Sequence, residues 1–287
     1  MANMGKLLAS QFIHEHEKQK LTCILSYFKY VMRNPEVLMN SNHGIIIERN
    51  SIRTVDLKTI DKTEVCQNHI TFHDRKIEDI TNRDAAHVDF ANRYIGGGVL
   101  SGGAVQEEIM FVQRPELIVS LAVCESMLPN EAIVISGARE FCKTSGYYKS
   151  FRFESACCNM INPVVAIDAP DCREVEWSLE HSLTKAVAGF SSPLLRELGI
   201  TSFSTGNWGC GVFANPHRKQ ILVQWLAMSI VGLEREYKVL VGRRTMSYAH
   251  FNNPAVQDFA KNELAKCGEF FTINKLISLL TTTKISE

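Results

Sequence analysis

Short apolar runs of strand length alternate with stretches of helical period along most of this chain of 287 residues. Gly44–Ile47, Val88–Ala91, Ala132–Ile135, Val164–Asp168, Phe203–Thr205 and Val239–Val241 read as strands, with His69–Phe72 a weaker one. Between them, Ala104–Phe111, a segment from Pro115 to about Met127, Trp177–Gly189 and a long stretch opened by Pro216 read as helices. Residues 5 to about 33 carry helical spacing at the N-terminal side until Asn34-Pro35 breaks it, Ile77–Arg83 reads as a turn or short helix, and Phe259–Ala265 and Ile273–Leu280 read as closing helices. Strands alternating with helices predict an α/β fold with a sheet between helices. With no repeat and no low-complexity linker, the expectation is one compact catalytic unit over residues 69–287 with a helical N-terminal extension, 1–68, packed on it.

Two of the strands, Val88–Ala91 and Phe203–Thr205, run into glycine-rich turns, Gly96–Gly103 and Gly206–Gly211. Open α/β sheets bind ligands beyond the carboxyl ends of their strands. Three consecutive glycines leave backbone N–H groups uncovered by side chains, and such a loop opening a helix can cradle phosphate. Neither a Walker pattern nor a dinucleotide fingerprint is present, so the loop alone also fits a flexible turn. The helix after the first loop starts Gln106-Glu107-Glu108. Acids are common in a first helical turn, but two adjacent carboxylates also repel, which raises the pKa of one. A carboxylic acid kept protonated near neutrality can donate a proton to a leaving oxygen. Consecutive helical residues are rotated by about 100°, so the pair is expected to divide, one acid facing a cleft and the other flanking it.

Composition narrows the alternatives. The 31 basic and 31 acidic side chains cancel, so nothing global argues for gripping nucleic acid, and a polyanion has to be met by local groups. Nine irregularly spaced cysteines predict reduced thiols and an intracellular setting, nucleus or cytoplasm. No secretory leader and no membrane-spanning run is expected. Nor do the nine histidines show a metal spacing. Cys210 lies between glycines with no histidine near it in sequence, and Trp208 reads as core.

The stretch Val88-Asp89-Phe90-Ala91-Asn92, followed by Gly96-Gly97-Gly98 and Gln106-Glu107-Glu108-Ile109, closely resembles the signature of the poly(ADP-ribose) glycohydrolases, in the eukaryotic-type branch. A second block, Thr205–Phe213, and a looser third, Ser145-Gly146-Tyr147 with Phe151-Arg152-Phe153, are similar to the same family. The resemblance runs from about residue 20 to the C-terminus and is densest from 86 to 240.

The resemblance implies a macrodomain-like mixed sheet sandwiched between helices. It also implies hydrolysis of the ribose–ribose O-glycosidic bonds of poly(ADP-ribose), releasing ADP-ribose, in the setting of the DNA damage response. By the same analogy Glu108 is the general acid and base, Glu107 orients the neighbouring ribose, and Asp89 and Asn92 fix the loop and the terminal ribose. Gly96, Gly97, Gly98 and Gln106 belong to the first loop's substrate contacts. Asn207, Gly209, Cys210, Gly211, Val212 and Phe213 belong to the second, with the diphosphate cradled by Gly97, Gly98 and the second loop. Tyr147 lies over the adenine, though a slip of one residue exchanges it with Tyr148. No cofactor and no metal is implied; the expected partners are the polymer, ADP-ribose and the ADP-ribosylated proteins that carry the polymer, with a monomer as the default state. Two alternatives stay open: a reader that binds ADP-ribose without cleaving it, and a hydrolase of the same fold that removes mono-ADP-ribose from protein side chains.

Overall fold

The computed structural model describes residues 14–36, 44–63, 69–79, 84–233, 245–264 and 272–281. Helix α1 spans Glu15–Arg33, and strands β1 and β2 span Ile46–Ser51 and His69–His73. A 3₁₀ turn, Ile77–Asp79, precedes β3, Ala85–Ala91. After the first glycine loop come α2, Gln106–Gln113, a 3₁₀ turn, Pro115–Val119, and the short α3, Ser120–Val123. Strands β4, Glu131–Ser136, β5, Arg139–Ser145, β6, Arg152–Met160, and β7, Val164–Asp168, lead to α4, Leu179–Phe190, and α5, Pro193–Glu197. Strand β8, Ser202–Gly206, α6, His217–Leu233, β9, Thr245–Ala249, α7, Pro254–Asn262, and α8, Ile273–Thr281, complete the described chain.

The chain divides into two compact units. One comprises residues 1–48, 89–127 and 135–164; the other comprises 49–88, 128–134 and 165–287. The second unit carries a seven-stranded sheet in the order β1-β4-β7-β3-β8-β9-β2, in which β3/β8, β8/β9 and β9/β2 are parallel. Its central strands are buried, β7 as an apolar run and β8 with Ser202, Ser204 and Thr205 among its buried residues. Helix α4 packs closely on β7: a Cβ at Gly189 would stand 2.8 Å from Ile167 and Val165 side-chain carbons. Phe190 then stacks on Phe203 of β8 with centroids 4.4 Å apart. The fully buried Lys185 of α4 joins Asp168 at the end of β7 in an ion pair and donates to the carbonyls of Leu128, at 2.5 Å, and Glu131, at 2.9 Å.

The last residues of β3, Asp89–Ala91, belong to the first unit. That unit holds α1, the glycine loop, α2 and an antiparallel hairpin, β5–β6, which pairs Ser145 with Arg152. Tyr27 and Tyr30 of α1 pack edge-on against Phe141 of β5, at 4.8 and 5.5 Å. Glu116 and Arg139, both buried, form an ion pair at 2.5 Å, and the Arg139 N–H donates to the same carboxylate at 2.8 Å.

The structure departs from the sequence reading at several elements. The helix predicted from Pro115 to Met127 is a 3₁₀ turn and one α turn, because Cys124 takes an extended backbone. The hairpin β5–β6 and the short α5 had no counterpart in that reading. The helix expected from Phe259 begins at Pro254, where Asn253 caps it by accepting from the N–H groups of Ala255 and Val256. Residues 5–13 of the first predicted helix and the strand Val239–Val241 lie outside the described residues.

Replacing Lys185 by Met leaves Asp168 buried without its cation, and breaking a buried pair from one side costs about 3–5 kcal/mol. Urea unfolding of Lys185→Met is therefore expected to show a loss of that size; a loss below about 1 kcal/mol would mean that the pair behaves as a surface pair.

Candidate active site

The first unit brings together most of the residues singled out in the first sequence block. Asp89 ends up with no exposed surface, while Asn92 and the glycine loop follow it out of β3. The loop turns back at Tyr94–Gly103 and delivers the chain into α2, whose first residues are Gln106, Glu107 and Glu108. Gln106 returns the loop to the strand by accepting the N–H of Phe90 at 2.8 Å.

Both glutamate carboxylates are bound by loop amides. Glu107 Oε1 accepts from Gly96 N at 2.6 Å, and its Oε2 from Asn92 N at 2.9 Å. Glu108 Oε1 accepts from Gly98 N at 2.8 Å, and its Oε2 from Val105 N at 3.0 Å. Four N–H groups thus meet four carboxyl oxygens, bonds that are of the strong charge-assisted kind whenever the carboxyl is ionised. The Val105 contact also satisfies one of the orphan donors at the start of α2, where Val105 itself has no side-chain acceptor.

Glycine is required where these bonds form. Gly96 and Gly97 have φ of +87° and +47°, a region that side chains with a Cβ enter at a cost. A Cβ at Gly97 would lie 2.6 Å from Glu107 Oε2 and 2.7 Å from Glu108 Oε1. One at Gly103 would lie 2.6 Å from Glu108 Oε1 and 2.9 Å from the Gly98 Cα.

The two acids therefore converge on one loop instead of diverging. The 100° step between them is absorbed by the loop, which curls round the first turn of α2 and presents different amides to each. Gly97 and Gly98, read in the sequence as part of a diphosphate cradle, have their N–H groups engaged within the protein: Gly98 with Glu108, and Gly97 with the Tyr94 carbonyl at 3.1 Å. An N–H has one proton to donate, so in this arrangement the Gly98 amide serves Glu108 and the Gly97 amide closes a turn on Tyr94.

Burial, followed by the negative charge of Asp89, pushes the Glu107 carboxyl well above the usual range; Glu108 adds to the effect, and the Asn92 and Gly96 amides oppose it. A carboxyl pushed up in this way holds its proton nearer to neutrality than a free one does. Both residues are buried, Glu107 to 3% exposure and Glu108 to 7%.

Tyr147 is half-buried and opens a 3₁₀ turn, Tyr148–Ser150, while the Tyr148 N–H donates to the carbonyl of Ala104 at 2.9 Å. That bond seats Tyr147 beside the end of the glycine loop. Tyr148 points into solvent with φ +48°.

The sequence reading missed Lys20 altogether. It lies on α1, is fully buried, and donates to the carbonyls of Gly98 at 3.1 Å, Ser101 at 2.7 Å and Gly103 at 2.5 Å. A lysine in an amphipathic helix gives no sign of such a role unless the loop's open carbonyls are known.

The second block forms its own turn in the second unit. Asn207 accepts from Tyr248 OH at 3.0 Å and donates to the His250 carbonyl at 3.2 Å. Trp208 is core, as expected, and donates to the Ile167 carbonyl at 2.9 Å. Gly209 has φ +70° and packs against Ala169 and Asn215, whose amide ties Pro170, Gly209 and Phe213 together. Burial raises the Cys210 thiol far above its ordinary pKa, the opposite of what a nucleophile needs. Gly211 and Val212 are exposed, and Phe213 is partly so. Among the described residues no cluster of three His, Cys, Asp or Glu is arranged to hold a metal ion.

Comparison with known proteins gives a consistent answer. Residues 57–258, more than half of the chain, match the family described as poly(ADP-ribose) glycohydrolase, Macro domain fold. The chain is 28% identical over 308 residues to poly(ADP-ribose) glycohydrolase 1 of Arabidopsis thaliana, covering 79% of this chain and 55% of that protein. It is 28% identical over 224 residues to poly(ADP-ribose) glycohydrolase 1 of Caenorhabditis elegans, covering 68% of this chain and 27% of that protein. It thus spans little more than half the length of the Arabidopsis relative and a smaller share of the nematode one. The crystal structure of poly(ADP-ribose) glycohydrolase from Thermomonospora curvata superposes with a TM-score of 0.51 at 15% identity, over 85% of this chain and 97% of that one, and shares the fold.

Gly97→Ala is expected to lower stability by about 1–3 kcal/mol, since it combines a left-handed alanine with a clash against two carboxylates. Gly211→Ala, where a Cβ meets nothing within 4 Å, is expected to stay within about 0.5 kcal/mol of wild type. Equal unfolding midpoints for the two variants would show that the loop yields freely at Gly97.

Proposed function

The chain belongs to the poly(ADP-ribose) glycohydrolase family, and we propose that it hydrolyses the ribose–ribose O-glycosidic bonds of poly(ADP-ribose) and releases ADP-ribose. The observation that carries this reading is the carboxylate pair: Glu107 with a raised pKa beside Glu108, both fixed by loop amides. A module that only held ADP-ribose would have no need of two buried acids at the mouth of a helix.

In the proposed reaction Glu108 is the acid that meets the substrate. It gives its proton to the departing ribose oxygen as the bond to the anomeric carbon breaks and positive charge develops on the sugar. The Glu108 carboxylate then takes a proton from water as the water oxygen bonds to the anomeric carbon, which regenerates the acid. Amide bonds to both of its oxygens hold the group in place through both steps, so little reorganisation is needed. Glu107, which favours its protonated form, offers a hydroxyl to the neighbouring ribose and keeps a second full negative charge away from Glu108. Asp89 supports that state through its own charge. Tyr147 supplies a flat face for the adenine. The substrates are the polymer and the proteins that carry it.

A polymer-hydrolysis assay of wild type beside Glu108→Gln tests this reading. Turnover is expected to fall by about 10²–10⁴-fold in the variant, with ADP-ribose binding by calorimetry retained. Tight ADP-ribose binding by the wild type with no release from polymer would assign the chain to the readers. Release from mono-modified protein but not from polymer would assign it to the mono-ADP-ribose hydrolases.

A further inference from the structure

The glycines that let the loop approach the acids also make it pliable, because a residue without a Cβ has the most conformational freedom to lose. Bonds within the loop, from the Ser101 and Gly103 N–H groups to the Gly98 carbonyl, hold part of it, and a group from outside the loop adds to them. The candidate is Lys20, which reaches the loop from α1 and has no exposed surface. Lysine is almost never fully buried unless its charge is met. Here the match is one of number: an ammonium has three N–H donors, and three carbonyls, Gly98, Ser101 and Gly103, accept from it.

The gripped carbonyls lie at the places that matter for the acids. Gly98 gives its N–H to Glu108 Oε1 while its carbonyl accepts from Lys20, so the residue is held on both sides. Gly103 is the residue on which the Glu108 carboxylate rests, with no room for a Cβ between them. We propose that Lys20 is a positioning residue for the hydrolysis: its ammonium clamps the glycine loop so that the loop amides stay aimed at Glu107 and Glu108. The proposal rests on the glycohydrolase reading above.

The charged or titrating groups that bear on the ammonium are Glu108 from α2 and Glu17 and Cys23 from α1, while the loop offers it carbonyls. Burial lowers its pKa to about 8, against the pull of Glu108 and Glu17. A neutral amine has only two N–H groups for the three carbonyls, so the clamp is complete only while the lysine is charged. The lysine touches no substrate in this scheme and acts through the loop alone.

The test compares polymer hydrolysis by wild type, Lys20→Met and Lys20→Gln, with folding checked by near-UV circular dichroism. Misplacing a catalytic group by about 1 Å costs about 10²-fold in rate, so Lys20→Met is expected to lose about 10- to 100-fold in kcat with a much smaller change in KM. Lys20→Gln, which keeps two donors, is expected to fall between. A folded Lys20→Met with wild-type kcat, or one altered only in KM, overturns the proposal.

If the variants do not fold, hydrogen exchange of the wild type decides instead. Between pH 7 and about 9.5 the protection of the Gly96, Gly98 and Val105 amides is expected to drop relative to that of Val164–Asp168 as the lysine deprotonates; protection that tracks the strand throughout overturns the clamp. A wild type that releases no ADP-ribose overturns the glycohydrolase reading and not the clamp, which the exchange measurement still decides.

Discussion

The structure of the first unit turns on four backbone N–H groups and two carboxylates. Burying one acid is costly and burying two side by side is more so, since each raises the energy of the other's charge. The protein offsets this with direct amide bonds at 2.6–3.0 Å to every carboxylate oxygen. Such contact is possible only if the backbone comes up against the carboxylates with nothing in between, and that dictates glycine at 97 and 103. It also dictates where β3 must end, since Asn92 has to present its N–H to Glu107 one residue after the strand. The helix start contributes too, because the positive end of a helix favours negative charge in its first turn.

This arrangement revises what a glycine-rich loop before a helix signifies. Open amides suggest an external anion, and phosphate is the common one. Here the protein supplies carboxyl groups of its own. The same physics operates, but the Gly96 and Gly98 amides are occupied by Glu107 and Glu108 before any ligand arrives. A loop of this kind holds carboxyl groups in place, and its glycines serve close approach as much as flexibility.

Much of the fold was legible from period alone. Val164–Asp168 and Ala132–Ile135 were legible because burial on both faces leaves an unbroken apolar run, and the long helix after Pro216 because Ile221, Leu222, Trp225, Leu226 and Met228 recur along it. The hairpin β5–β6 was not, because Lys143, Thr144, Glu154 and Ser155 interrupt its apolar positions and no two-residue turn signal joins its strands. Helix α7 could have been found: Asn253-Pro254 is an N-cap followed by proline at the first helical position. At the site, the acid pair and the loop were readable as neighbours in sequence. Their mutual geometry was not, since the curl of Gly96–Gly103 around α2 depends on left-handed glycines and on Lys20, some eighty residues earlier in the chain.

Lys20 and Lys185 show why such residues escape a sequence reading. Each sits on a helix and each is fully buried, in a different unit. Lys185 meets a carboxylate, Asp168, as well as two carbonyls, so its charge is neutralised directly. Lys20 is bonded to carbonyls, and the nearest carboxylate whose charge supports it is Glu108. The first arrangement fastens a helix to the end of a strand. The second places a cation behind an acid and joins the two through the backbone of the loop between them. Gly98 bonds to both, giving its N–H to Glu108 while its carbonyl accepts from Lys20.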